Sequence, residues 1–179
     1  KCYPIGYFHI DIAQIQTAEG KLQLFVAIDR TSKFAFARLE ESATVHTAAA
    51  FLKALIEAVP YEIHTVLTDN GTQFCDLPSR RNGPTARLRL HMVDRVCFGN
   101  GNEHRLTKPN HPWPNGQGER NNHDQLRRHL QDFIEAYNFG RRLKTLNGLT
   151  PYELICKQWT LEPDRFIIDP IHQMPGLNS

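Results

Sequence analysis

The 179-residue sequence is 40% apolar and 22% charged, enough apolar material for one sizeable core, which excludes a disordered chain. No apolar run nears the roughly 20 residues that span a bilayer, and Lys1 to Tyr7 lacks the layout of a secretory signal, so a cytosolic protein without a membrane partner is expected. The formal net charge is only +2, yet residues 78–144 hold 13 Lys/Arg against 6 Asp/Glu, so a polyanionic partner would meet the later half of the chain.

Residues 7–12 alternate and are rich in aromatic and branched side chains, which predicts a first strand ending near Asp11. Glu19-Gly20 marks a hairpin turn. The largely apolar run 22–29 reads as a strand covered on both faces, and 33–39 follows as a third strand after the Arg30-Thr31-Ser32 turn. Thr44 caps a helix over 45–59, where Ala48, Phe51, Leu52, Leu55 and Ile56 recur at helical spacing, and Pro60 closes it. A buried strand over 63–68 ends at the Asp69-Asn70-Gly71 turn. An antiparallel meander, a helix and a fourth strand imply a mixed sheet in which strand four lies parallel to strand one, reached by a right-handed crossover.

Residues 78–84 read as an exposed basic loop, 85–98 as a helix, 103–107 as a short strand, and 108–116, dense in Pro, Asn and Gly, as a structured loop leading into a helix that carries Glu119. His111 and Trp113 lie in that loop. Leu126, Leu130, Phe133, Ile134 and Tyr137 define an amphipathic helix opening at Asn122, and Thr150-Pro151 opens another over 151–159. The organisation expected is one core over 1–159 followed by an extended tail, 160–179. Cys2, Cys75, Cys97 and Cys156 form no C-x-x-C pair and read as reduced, structural thiols.

Asp11 within one apolar strand and Asp69 at the end of another need an explanation, because a carboxylate there is costly unless paired or bound to a cation. If the two strands are neighbours, the carboxylates meet and repel, and hard oxygen donors of this kind suit Mg²⁺. Taken singly, each acid has an ordinary structural reading: a satisfied polar group, a turn residue, and, for Glu119, an acid near a helix start.

Phe8-His9-Ile10-Asp11, Phe25-Val26-Ala27-Ile28-Asp29, Val66-Leu67-Thr68-Asp69-Asn70-Gly71-Thr72-Gln73-Phe74, His104-Arg105-Leu106-Thr107-Lys108-Pro109 and Asn115-Gly116-Gln117-Gly118-Glu119-Arg120 occur in that order, followed by Tyr137-Asn138 and Leu149-Thr150-Pro151-Tyr152-Glu153. Together they resemble the integrase-like transposases of bacterial insertion sequences, of the retroviral-integrase DDE type. The resemblance implies an RNase H-like fold with a mixed five-stranded sheet and helices on both faces. It implies that Asp11, Asp69 and Glu119 are catalytic and bind two Mg²⁺ or Mn²⁺ ions, which drive in-line cleavage and strand transfer on DNA with no nucleotide cofactor.

By the same resemblance Asn70, Lys108, Asn115 and Arg120 contact DNA. The partners implied are the element ends, the target DNA and further copies of the chain, in the bacterial cytosol, with an end-recognition domain upstream in a longer parent. Two features depart from the pattern: Asp69 and Glu119 are 50 residues apart, and Arg120-Asn121-Asn122 runs straight into the amphipathic helix where the family has a long basic helix first. The alternatives are therefore a catalytically decayed, transposase-derived DNA-binding module and an RNase H-like nuclease without strand transfer.

Overall fold

Residues 3–76, 90–107, 116–117 and 122–173 are described by the computed structural model of the chain. Strands β1 (Tyr7–Thr17), β2 (Gly20–Asp29) and β3 (Ala35–Glu40) form the antiparallel meander, and after helix α1 (Val45–Ala58) strand β4 (Thr65–Thr68) pairs parallel to β1. Helix α2 (Met92–Gly99) leads to β5 (Glu103–Leu106), parallel to β4, so the path across the sheet is β3-β2-β1-β4-β5. A two-residue strand β6 (Gly116–Gln117) pairs with β1 beside Ile15 and Gln16. Helices α3 (His123–Glu135) and α4 (Pro151–Leu161) complete the described α-helices, and short 3-10 turns occupy Lys144–Leu146, Pro163–Arg165 and Pro170–Gln173. None of the described helices is long and apolar enough to cross a membrane.

Strand alternation gives the sheet a rear and a front. Phe8, Ile10, Phe25, Ala27, Phe36 and Val66 share the rear face by register, where α1 covers them with Ala48, Phe51, Leu52 and Leu55. The Phe51 ring lies 5.3 Å from Phe25 and 5.4 Å from Phe36. The start of α1 is fixed by a reciprocal cap: Thr47 N–H donates to Thr44 Oγ1 (3.1 Å) and Thr44 N–H to Thr47 Oγ1 (2.8 Å). The front face carries Tyr7, His9 and Asp11 of β1 and is less covered; Ile28 is exposed and Leu67 half-buried.

Several elements differ from the sequence expectation, each for a visible reason. β1 runs six residues past Asp11, because β2 pairs with it in unbroken register down to Thr17 and Gly20. Helix α2 begins at Met92, since the His91 ring accepts from Val93 N–H and caps the helix there; 85–89, like the 78–84 loop, lie outside the described residues. Gly116 is paired in β6 rather than belonging wholly to a loop.

Helix α3 opens at its Asn122 cap as expected but widens into a π turn over Ala136–Gly140, which turns Asn138 into the edge of β3. There Ala35 N–H donates to Asn138 Oδ1 (2.9 Å) and Asn138 Nδ2 donates to Ala35 O (2.7 Å). α3 itself has no buried residue; Leu130 and Ile134 line an open groove with Phe36 and Leu39, while Phe133 is exposed. The chain after α4 lies across Tyr61: Glu62 N–H donates to Arg165 O (2.9 Å), and the Phe166 ring stands 5.8 Å from that of Tyr61.

One buried carboxylate joins these parts. Asp29, fully buried at the end of β2, accepts from Gly6 N–H (2.7 Å) and Tyr61 O–H (3.2 Å) on one oxygen and from Thr31 N–H (2.7 Å) and Ser32 N–H (2.9 Å) on the other. Burial pushes its pKa up, and these four hydrogen bonds pull it back part of the way. Gly6 reaches the carboxylate with φ +97°, and a Cβ there would stand 2.3 Å from Glu62 O, so glycine is required. Asp29→Asn, whose amide NH₂ must confront donors on one side, is expected to lower unfolding stability by about 3 kcal/mol. Urea denaturation measures this, and a loss below about 1 kcal/mol would show that the carboxylate does not organise the turn.

Candidate active site

β1 and β4 bring the first two candidate acids together. Ile10 pairs with Thr68, the last residue of β4, so Asp11 on the front face of β1 comes near Asp69, which directly follows β4. Asp11 lies mid-strand with its side chain 32% exposed, and His9, two residues earlier on the same face, holds Nε2 3.5 Å from Asp11 Oδ1. The Asp11 pKa is raised chiefly by burial; His9 opposes this, and the nearby Asp69 adds to it. Sequence reading gave His9 no part; its signal was the two-residue period that aligns it with Asp11.

Asp69 stands at the head of a turn built by its own side chain. Gly71 N–H donates to Asp69 Oδ1 (2.9 Å), and Gly71 O accepts from Phe74 N–H (2.9 Å) and Cys75 N–H (3.1 Å), so the turn closes over Phe74, which is fully buried. Asn70 is exposed; its Nδ2 donates to Thr107 O (2.8 Å), while Thr107 N–H donates to Thr68 O (2.8 Å), which straps the turn to the end of β5. Gly71 does not take left-handed backbone, and a Cβ there would first meet the Gln73 side chain.

Glu119, Lys108, Asn115 and Arg120, together with His111 and Trp113, lie outside the described residues. The flanking chain is described: β6 ends at Gln117, and Asn122 caps α3 by accepting from Gln125 N–H (2.8 Å). The start of α3 is tied to the β1–β2 turn, where His123 N–H donates to Glu19 Oε2 (3.0 Å) and the His123 ring meets Thr17 Oγ1 at 2.9 Å. Among the described residues no group of three or more His, Cys, Asp or Glu is placed to hold a metal ion. Burial pushes the Cys97 thiol up to about 12 and raises that of Cys156 as well, which makes these two poor nucleophiles.

A family model for the integrase core domain matches residues 3–112, more than half of the chain and including Asp11 and Asp69. The chain belongs to the integrase core domain family. Among solved structures, this integrase core domain is similar to the catalytic core domain of BIV integrase, with 16% identity and a TM-score of 0.58 over 88% of this chain and 98% of that one. The shared fold is the RNase H-like mixed sheet with helices. A simian T-cell lymphotropic virus intasome in complex with the PP2A regulatory subunit B56 gamma also aligns, at 17% identity and TM-score 0.48, over 58% of this chain and only 35% of that one. No curated protein matches.

The carboxylate pair sets a pH dependence. The raised pKa of Asp11 means that its ionised form destabilises the metal-free fold. That cost is absent below the ordinary carboxylate range, grows as pH rises through the raised value, and is complete above it. Asp11→Asn is therefore expected to unfold at higher temperature than the parent at neutral pH with chelator present, the difference shrinking on acidification. Thermal unfolding at several pH values reads this, and a less stable variant at neutral pH would refute it.

Proposed function

We propose that this integrase core domain is the catalytic core of a DNA transposase of the bacterial insertion-sequence type, with Asp11, Asp69 and Glu119 as its catalytic carboxylates. The observation that carries the reading is the closeness of Asp11 on β1 to Asp69, the residue directly after the parallel neighbour β4 of an integrase-type sheet, where Asp69 disfavours ionisation of Asp11. Two crowded carboxylates are a hard-oxygen donor set, and they fit Mg²⁺ or Mn²⁺. Divalent ions bound there would supply activation of water or a 3′-hydroxyl and neutralisation of the leaving oxygen.

The protein's own part is placement. Asp11 is fixed by the long hairpin, and Asp69 by its turn, so the two carboxylates present a rigid edge to a scissile phosphate. Asn70 would support that edge from the turn, and Lys108, Asn115 and Arg120 would hold the DNA backbone. The active assembly would need element ends, target DNA and more than one copy of the chain, in the cytosol.

A second reading, a DNA-binding module that has lost activity, is favoured by β6. Its pairing beside Ile15 fastens the chain leading to Glu119 about 13 Å further along β1 than Asp11, and four residues separate its end from the Asn122 cap. Calorimetric titration with Mn²⁺ separates the readings. Asp11→Asn and Asp69→Asn are expected to abolish binding, and parent-like binding in Asp69→Asn would defeat the site assignment. Loss in Glu119→Gln supports an intact three-carboxylate site, whereas parent-like binding there supports the inactive module.

Mg²⁺-dependent nicking and joining of labelled DNA then distinguishes strand transfer from simple hydrolysis. Non-specific DNA affinity is expected to fall steeply with salt, and Lys108→Ala to flatten the slope by about one charge. Affinity unchanged between low and moderate salt would show that the basic half is only a solvated surface.

A further inference from the structure

The rear of the sheet holds a polar chain that ends at Asp69. Asp94 of α2 meets the ring of His104 on β5, with Oδ1 2.5 Å from Nδ1. His104 Nε2 lies 2.9 Å from Thr68 Oγ1, and Thr68 donates its hydroxyl hydrogen to Asp69 O (3.0 Å). Thr68 is fully buried, the His104 side chain is 7% exposed and that of Asp94 is 37% exposed. Three elements therefore contribute one group each to a line that starts near solvent and stops at the backbone of the second acid.

The direction of the line follows from counting hydrogens. A hydroxyl has one, and Thr68 places it on Asp69 O, so Thr68 Oγ1 must accept from His104 Nε2–H. On its other side the ring is held by the contact of Nδ1 with Asp94. Thr68 ends β4 with its side chain on the rear face and Asp69 follows directly, so a line that holds Thr68 and the Asp69 carbonyl constrains the backbone from which the Asp69 carboxylate projects. α2 is tied to the same turn a second time, where His91 Nε2 lies 3.3 Å from Thr72 O.

We infer that Asp94, His104 and Thr68 are positioning residues that pre-orient the Asp69 carboxylate for a divalent cation from the opposite face of the sheet. The inference rests on the proposed metal site, but its first effect belongs to the metal-free protein. If the line orients the Asp69 turn, removing it loosens the Gly71 amide that donates to the Asp69 carboxylate. Supporting groups of this kind change metal affinity by roughly 10- to 100-fold when removed.

The test combines amide hydrogen exchange without metal and calorimetric Mn²⁺ binding on the full chain. Thr68→Val is expected to speed exchange at Gly71 and weaken Mn²⁺ binding at least about tenfold, while Thr68→Ser, which keeps the hydroxyl, stays near the parent. At His104 the two amides dissect the ring. Gln places an N–H where Nε2–H stood and should keep most of the affinity, whereas Asn reaches only toward Asp94 and should lose it.

A packing role alone would not rank Gln above Asn or rescue Val with Ser. Should Thr68→Val fail to fold, Asp94→Asn, on the solvent end of the line, is expected to give a smaller loss in the same direction. Parent-like exchange and binding in Thr68→Val and His104→Asn, with binding abolished in Asp69→Asn, would overturn this inference alone. Parent-like binding in Asp69→Asn would overturn both it and the metal site.

Discussion

The sheet depends on a charge that water cannot reach. Asp29 closes β2, and its two oxygens draw in the approach to β1 through Gly6, the turn into β3 through Thr31 and Ser32, and the exit of α1 through Tyr61. An unpaired ionised group in such a place would cost several kcal/mol; four donors convert that cost into a constraint on three separate segments. The positions of β1, β3 and the α1–β4 connection are thus referred to one point. β1 in turn carries Asp11, and β4 follows α1 and ends at Asp69, so the front-face geometry is inherited from the rear.

Asp29 and Asp11 are two carboxylates of the same sheet in opposite circumstances. Asp29 is the more deeply buried and has its hydrogen-bonding capacity filled by fixed donors. Asp11 is less buried, has the His9 ring at 3.5 Å and Asp69 as a neighbouring acid. Burial raises both pKa values, but only at Asp11 does a second acid add to the rise. The fold satisfies one acid and leaves the other short of positive charge, and that shortage is what a cation would relieve.

Much of this was legible in the chain because the signals are local. The meander, α1 with its Thr44 cap, β4 and the Asp69 turn follow from alternation, helical spacing and the turn chemistry of Asp-Asn-Gly, and Phe74 marks where that turn returns to the core. The partnership of Asp11 with Asp69 followed from strand order alone. What escaped reading depends on partners far apart in sequence: Gly6 and Tyr61 lie 23 and 32 residues from Asp29, and Asn138 lies 103 from Ala35. His104 was visible as part of a motif, but its line to Thr68 exists only once β4 and β5 are paired. The start of α2 at Met92 turned on a ring nitrogen of His91 acting as a cap, a role that propensity does not assign to histidine.

The Asn138 clamp on β3 bears on how this chain behaves among its own copies. β3 is one of the two outer strands of the β3-β2-β1-β4-β5 path, and an outer strand offers its unpaired N–H and C=O groups to any passing extended chain. The amide of Asn138 presents a donor and an acceptor to Ala35 as a neighbouring strand would, so at that point the ladder is already terminated. A side chain thus stands in for a seventh strand, and fibrous growth of the sheet by edge-to-edge addition is blocked where β3 begins.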